Sequence, residues 1–166
     1  MKRLLAVLVA FAIPALCADN PMVSNLVKHW QTSKAYTLAI ADQMPEDGYA
    51  FKPNPDEMTF GGQLVHIAQA NGFFLSKISG TPSPIGKPDK LGKASVMKLV
   101  SDSYDYVIKS VGSLTPEQLH AELELEGTTM TGYEALMLAA DHTTHHRGQC
   151  IVYLRVKGIK PADYRY

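Results

Sequence analysis

Asp141-His-Thr-Thr-His-His-Arg-Gly-Gln149 is the stretch that says most about the fold and the chemistry of this sequence. It lies inside a long helical pattern that begins at a capping box, Thr131-Gly-Tyr-Glu134, and ends at Gly158. In a helix, His142 and His146 are one turn apart and project from one face. Both imidazoles can therefore reach one metal ion.

A third histidine, His66, lies far upstream in the segment Gln63-Leu-Val-His-Ile-Ala-Gln69, which is also compatible with a helix. On a facing helix it would complete a set of three imidazoles with His142 and His146. Such a set leaves a coordination position open for water or substrate, as a catalytic metal needs. His145 is a rival ligand because three residues is also a neighbouring helical spacing, and the geometry of one helix leaves the choice open.

The residues that share a face with these histidines are mostly apolar or small. At about 100° per residue, those within about 40° of His142 are Ala135, Leu138, His146, Gln149, Tyr153 and Val156. The corresponding neighbours of His66 are Thr59, Gly62, Ala70, Phe73 and Lys77. We therefore predict that both stripes face the bundle core and that Gly62 and Ala70 leave room beside the ligands. Gln149 is predicted to orient a ligand or a bound water, and a satisfied core amide is the equal alternative.

Three further residues near the motif have structural interpretations. Arg147 points away from the histidine stripe, which predicts a structural ion pair or a capping role. Gly148 lowers helix stability unless a neighbour packs closely, so we expect a tight helix–helix contact there. Cys150 is predicted to be a small buried residue, with thiolate ligation as the alternative.

Helical patterns separated by Pro- and Gly-containing loops predict an all-α fold. Thr115-Pro-Glu-Gln118 predicts a short additional helix, and residues 122–129 are the one place where a strand pair fits. The long helices form a four-helix bundle in this interpretation. They are predicted at about 21–44, with Asn20 as cap, and at about 59–79, 93–111 and 131–157.

The first 18 residues are typical of a secretory signal peptide. Lys2 and Arg3 are basic, Leu4 to Ile13 is a short apolar run, and Ala15-Leu-Cys-Ala18 offers a cleavage region. This predicts a signal peptide over 1–18 and one domain over 19–166, exported to the periplasm or secreted. No stable membrane span would remain after cleavage. An uncleaved amino-terminal anchor is the alternative.

The charge balance excludes one class of partner. The 16 basic residues equal the 16 acidic ones, and cleavage after Ala18 leaves 14 basic against 16 acidic, a net charge of −2. No basic patch or run remains, so we expect no nucleic-acid binding. Cys150 would be the single cysteine of the mature chain, which excludes an internal disulfide.

The motif residues resemble a known family. His142-Thr-Thr-His-His-Arg-Gly-Gln149, followed by Tyr153-Leu-Arg155 and Gly158 and preceded by Leu64-Val-His-Ile-Ala68, resembles the DinB-like (DinB/YfiT) superfamily of metalloenzymes. The resemblance covers nearly all of the mature chain. It implies a four-helix bundle of the DinB/YfiT type with a long crossover, and members that form homodimers.

The resemblance also implies a site and an activity. It assigns the three metal ligands to His66, His142 and His146, and so selects His146 over His145. The implied cofactor is a divalent metal ion, and Zn, Ni, Fe and Co all suit three neutral imidazoles. The implied activity is that of a hydrolase or a thiol-dependent S-transferase acting on a small-molecule substrate. The catalytic residues stay unassigned.

Two alternatives from other functional classes remain open. One is a non-catalytic protein of the cell envelope that binds a metal or a small molecule. The other is a bundle that keeps the histidines as structural relics and acts through a protein partner. A fourth protein ligand at bonding distance would favour a structural metal, and an open pocket above three nitrogens would favour an enzyme.

Overall fold

The structure, a computed structural model, describes residues 21–88 and 90–165. The predicted signal peptide and the predicted cap Asn20 lie outside these residues. The described chain is mainly helical, as predicted, and among the described residues no helix is both long and apolar enough to cross a membrane. The helices are α1 (Pro21–Gln43), α2 (Phe60–Ser79), α3 (Lys93–Gly112), the short α4 (Pro116–His120) and α5 (Gly132–Val156).

Local capping explains where these helices begin and end. The Thr59 hydroxyl accepts a hydrogen bond from the Gly62 amide and so caps α2. Thr131 and Glu134 form a complete capping box at the start of α5, as predicted. Gly158, with a φ of 73°, takes the left-handed conformation just beyond α5, which allows the chain to leave the helix.

A β-hairpin connects α4 to α5 in the region where the sequence allowed a strand pair. Strands β1 (Glu122–Leu125) and β2 (Thr128–Thr131) are antiparallel, and Leu125 lies opposite Thr128. Glu126 and Gly127 form the two-residue turn, with φ angles of 49° and 82°. The buried side chain of Leu125 anchors the hairpin to the core.

A short 3-10 helix, Glu46–Ala50, follows α1. Tyr49 anchors it, because its ring packs against Phe60, with centroids 5.3 Å apart, and its hydroxyl donates to the Ala41 carbonyl at 2.9 Å. Burial of this aromatic side chain stabilises the turn.

Four of these helices form the predicted bundle. Helix α2 packs against both α3 and α5, and α1 packs against α3. The predicted adjacency of the two histidine-bearing helices is therefore confirmed. Large side chains that are almost fully buried fill the core, among them Trp30, Leu64, Tyr104, Leu136 and Tyr153. Because α2 and α5 pack against each other, they hold the histidine side chains at a defined separation.

Candidate metal centre

Three histidines from two helices converge. His66 on α2 and His142 and His146 on α5 each offer one ring nitrogen, and these nitrogens all lie within 4.8 Å of one another. The Nε2 atoms of His66 and His142 are 3.1 Å apart. All three side chains are half-buried, whereas His145 is exposed and lies outside the group.

The spacing of two of these nitrogens fits a single metal ion. Two imidazole nitrogens at about 2.1 Å from one ion, with bond angles near 90° or 109°, lie roughly 3.0 to 3.4 Å apart. The separation of 3.1 Å between His66 Nε2 and His142 Nε2 falls in this range. Two lone pairs at that distance repel unless a proton or a cation lies between them. The donor set therefore suits a divalent ion that accepts nitrogen ligands.

A short chain of hydrogen bonds determines the orientation of His146. The Tyr153 hydroxyl donates its proton to the Met58 carbonyl at 2.9 Å. It then accepts from Gln63 Nε2 at 3.3 Å, which turns Gln63 Oε1 toward His146 Nδ1, 2.5 Å away. An amide oxygen only accepts, so Nδ1 of His146 carries the hydrogen and Nε2 keeps its lone pair. The neutral ring therefore has the tautomer that ligates through Nε2.

His142 has no such partner among the described residues. Its Nδ1 atom is buried and makes no hydrogen bond there. The ring is held by packing instead, with the Phe74 ring edge-on at a centroid distance of 5.9 Å. A buried ring nitrogen without a partner costs free energy, which the contacts of the opposite nitrogen must offset.

Burial keeps two of the histidines, His142 and His146, neutral. Desolvation, with smaller contributions from the neighbouring rings of His142, His66 and His145, lowers the pKa of His146 to about 4. Desolvation is also the main cause of the lowered pKa of His142, with smaller contributions from His66 and His145. The Glu126 carboxylate opposes these effects by raising the pKa of His142. At neutral pH both rings are therefore in the form that can ligate a metal.

The predicted core stripes lie only partly in the core, where Ala135 and Tyr153 are buried, and otherwise follow its edge. On α5, Leu138 is 40% exposed and Val156 is 58% exposed, and on α2 Phe73 is 38% exposed. The buried face of α5 is centred near Thr143, about 100° around the helix from His142. Small residues such as Ala139 pack tightly there. The expectation that the histidines face the bundle core was wrong, and they line a groove between α2 and α5.

A cavity of about 570 Å³ opens beside two of the histidines, His66 and His142. Gln69 and Glu126 are its other polar lining residues. Its apolar lining consists of Ala70, Phe73, Phe74, Leu125 and Leu138. The small side chain of Ala70 leaves space there, as predicted. Gly62 does not, because a Cβ at that position would lie 3.0 Å from the Thr59 hydroxyl oxygen, at the cap of α2.

Two other candidate residues take no part in the group of nitrogens. Gln149 is half-buried, and its side chain makes no hydrogen bond to a described residue, so its role as an orienting residue stays a prediction. Cys150 is fully buried, and burial raises the pKa of its thiol to about 12. A thiol of that kind is neutral and acts as a small core residue.

The structure corrects the interpretation of Arg147. Its guanidinium is buried and pairs with none of the carboxylates that the structure describes. It donates instead to hydroxyl oxygens, at 2.8 Å to Ser33, 3.3 Å to Thr37 and 3.2 Å to Thr144. The expected ion pair was wrong, because α1 presents hydroxyl groups and not acids at this position.

Gly148 also differs from its prediction. A Cβ at this position would meet nothing within 4 Å among the described residues. The expected tight helix–helix contact is absent there. A cavity lined by Gly148, Tyr36 and residues of the carboxyl-terminal segment lies beside it.

Sequence reasoning missed Gln63. Its signal was weak but present: a polar residue one turn before His66 on a face otherwise occupied by Phe60, Leu64 and Ile67. A buried glutamine needs partners for its amide, and a metal-ligating histidine commonly needs an oxygen acceptor on its other nitrogen.

Comparison with known proteins agrees with the helical bundle. The family model for the DinB superfamily matches residues 29–150, which is most of the chain. This chain belongs to the DinB superfamily. The match includes His66, His142 and His146 and extends to Cys150.

Individual DinB-like relatives support the same assignment. YjoA of Bacillus subtilis strain 168, itself described as uncharacterized, is 28% identical over 147 residues, covering 86% of this chain and 93% of that protein. Its crystal structure, described as a DinB-like protein, aligns with a TM-score of 0.73 at 26% identity, over 85% of this chain and 97% of the other. A DinB-like protein from Bacillus cereus shares the fold, with a TM-score of 0.65 at 21% identity, over 85% and 97% of the two chains.

Proposed function

We propose that this protein is a divalent-metal-dependent enzyme whose three ligands are His66, His142 and His146. The observation that carries the proposal is the convergence of their ring nitrogens at the wall of a cavity. His66 and His142 line that cavity directly. No fourth His, Cys, Asp or Glu of the described residues joins the group. The arrangement is that of an open site, which suits catalysis better than a structural metal.

Each part of the site has a role in this proposal. The hydrogen-bonded Gln63 holds His146 in the tautomer that ligates through Nε2. The apolar wall, which includes Phe74 and Leu138, removes water from the body of a bound substrate. A divalent ion held here would act as a Lewis acid and lower the pKa of a coordinated water or thiol toward neutrality. Hydrolysis and thiol-dependent S-transfer are the two reaction classes that such a site supports.

Metal binding is the first test. Wild-type protein and single alanine variants are titrated with Zn, Ni, Co and Fe(II) by calorimetry, and metal is measured in protein purified from its natural compartment. His66→Ala, His142→Ala and His146→Ala should each remove most of the bound metal. His145→Ala is the matched control and should remove little, because that side chain is exposed outside the group. If all four variants bind metal like the wild type, the histidines are not ligands.

Activity is the second test. Metal-loaded and metal-free protein are compared on aryl esters for hydrolysis and on a thiol with an electrophilic alkyl halide for S-transfer. Turnover that requires the metal and is lost in His142→Ala supports an enzyme. Metal binding without turnover in either screen favours a non-catalytic binding protein of the cell envelope. One observation favours that second candidate: no described Ser, Thr, Tyr or Cys lines the cavity to serve as a nucleophile.

We also propose that the protein is exported and acts in the periplasm or outside the cell. The support is the order of basic, apolar and small residues in the first 18 positions. Amino-terminal sequencing of the native protein should find a mature terminus near Asp19. Retained Met1 on a cytoplasmic protein would overturn the proposal. The expected homodimer likewise stays a prediction, which sedimentation of the purified protein tests.

A further inference from the structure

The turn of the β-hairpin reaches the cavity beside the metal centre. Glu126, the first turn residue, and Leu125 before it line the same cavity as His66 and His142. Leu125 is buried, so its side chain fixes the hairpin against the core and holds the turn in place. A ligand in the cavity is therefore within reach of both the histidines and the Glu126 carboxylate.

Glu126 is the one charged side chain among the described residues that line this cavity. The two lining histidines, His66 and His142, contact each other, and the other polar lining residue, Gln69, is neutral. Lys77 is close to the rim, with its Nζ 5.7 Å from the centroid of the Phe73 ring, but it is not a lining residue. Apart from a metal ion held by the histidines, the cavity therefore combines an apolar wall with a single negative charge, that of Glu126.

The conformation of the turn does not account for a glutamate at this position. Its φ of 49° lies in the left-handed region, where Gly and Asn are favoured and a longer side chain is strained. Gly127, the second turn residue, has a φ of 82° and follows the usual preference. A glutamate in this conformation is explained by a contact outside the turn, and its side chain lines the cavity.

We propose that the cavity binds small molecules with an aromatic or apolar body and a cationic group, and that Glu126 pairs with that cation. The inference rests on the proposed function, because the metal-binding end of the ligand would lie at His66 and His142. Phe73, Phe74 and Leu138 supply the surface for the apolar body. Glu126 is a positioning and specificity residue in this scheme, and anionic substrates are disfavoured.

Three probes that differ only in charge test this inference. Benzohydroxamic acid is neutral, its 4-aminomethyl derivative is a cation, and its 4-carboxy derivative is an anion at neutral pH. All three carry the same metal-chelating group and the same ring. Their dissociation constants for metal-saturated protein are measured by calorimetry at low salt. The measurement is repeated at a sodium chloride concentration that shortens the Debye length to about 4 to 5 Å.

The wild type should bind the cationic probe about three- to tenfold more tightly than the anionic one, as one solvent-accessible charge acting on both probes allows. This ratio should fall toward one at high salt. Glu126→Gln should remove the preference for the cationic probe and leave the dissociation constant of the neutral probe unchanged. Glu126→Asn, which suits the turn better, should do the same and keeps the test valid if the glutamine variant folds poorly.

Glu124→Gln is the matched control. Glu124 is exposed on β1, two residues away, and does not line the cavity. It removes the same charge from the same hairpin, so it should leave the ratio at the wild-type value. A ratio that falls equally in both variants would indicate a general field effect and would overturn the role of Glu126.

The outcomes separate this inference from the proposed function. Protein that binds no metal overturns both. Protein that binds metal and the neutral probe, but with a charge ratio near one or a ratio that Glu126→Gln does not change, overturns the inference alone. Protein that binds metal and none of the three probes refutes the aromatic-binding cavity and leaves the metal site intact.

Discussion

The Gln63 Oε1 atom lies 2.5 Å from the Nδ1 atom of His146, across the interface between α2 and α5. This contact joins the two helices that carry the candidate ligands. Gln63 in turn donates to the Tyr153 hydroxyl, which donates to the Met58 carbonyl. The Met58 carbonyl can only accept, which fixes the direction of each hydrogen bond that follows. The tautomer of His146 is therefore determined by a backbone carbonyl three hydrogen bonds away.

Gln63→Leu should weaken metal binding about 10- to 100-fold, because His146 loses the acceptor that orients it. The leucine fills a similar volume, so the bundle should remain folded. Calorimetric titration of the variant and the wild type with the metal that binds measures the change. Gln149→Leu is the matched control on α5 and should change the affinity less, since its amide makes no hydrogen bond to a described residue. Equal losses in both variants would restore Gln149 as the orienting residue.

The contrast between these two glutamines shows what sequence reasoning achieved. Helix ends were predicted to within a few residues because caps such as Thr59 and Thr131 are local signals. The three histidines were found from their spacing and from the family resemblance. Gln63 was missed because its role depends on how α2 is rotated against α5, which only tertiary packing determines. The rotation of α5 itself was misjudged because its buried face contains small and polar residues such as Ala139 and Thr143.

The metal-free protein should lose stability as the pH falls from about 6.5 to about 4. His146 has its ordinary pKa of 6.5 in the unfolded chain and a pKa of about 4 in the folded chain, mainly because of burial. Between these values the unfolded state binds more protons, so the free energy of unfolding decreases with decreasing pH. The contribution of neutral His146 to the free energy of unfolding is therefore fully present above pH 6.5. Urea unfolding at several pH values measures the trend.

His146→Gln should flatten this dependence. His120→Gln is the matched control, because His120 is exposed and lies outside the group of three histidines. His142, whose pKa is also lowered, should leave a residual slope in the first variant. In saturating metal, stability should fall more steeply with decreasing pH, because protonation of the histidines also releases the metal ion. A metal-free protein whose stability does not change between pH 6.5 and 4 would contradict the buried, neutral state of His146.

Arg147→Lys should destabilise the fold by about 1 to 3 kcal/mol. The guanidinium bridges Ser33, Thr37 and Thr144, and an ammonium group cannot donate to all three in the same geometry. For a chain of this size the melting temperature should fall by roughly 2 to 4 °C per kcal/mol. Arg155→Lys, an exposed position two turns later on α5, is the control and should have little effect. A loss no greater than that of the control would mean that the hydroxyl contacts contribute no net stability.

Gly148→Ala should stabilise the protein by about 0.5 to 1 kcal/mol, because a methyl group removes the entropic cost of glycine in a helix and meets nothing within 4 Å. Gly132→Ala, at the start of the same helix, should do the opposite, since its Cβ would collide with the backbone carbonyl oxygen of Gln118. Thermal melts of both variants measure the two shifts. The same substitution at two positions of one helix should therefore change stability in opposite directions, because the space around the two Cα atoms differs. If Gly148→Ala destabilises the protein, then something does pack against this position, and the tight contact expected from the sequence regains its support.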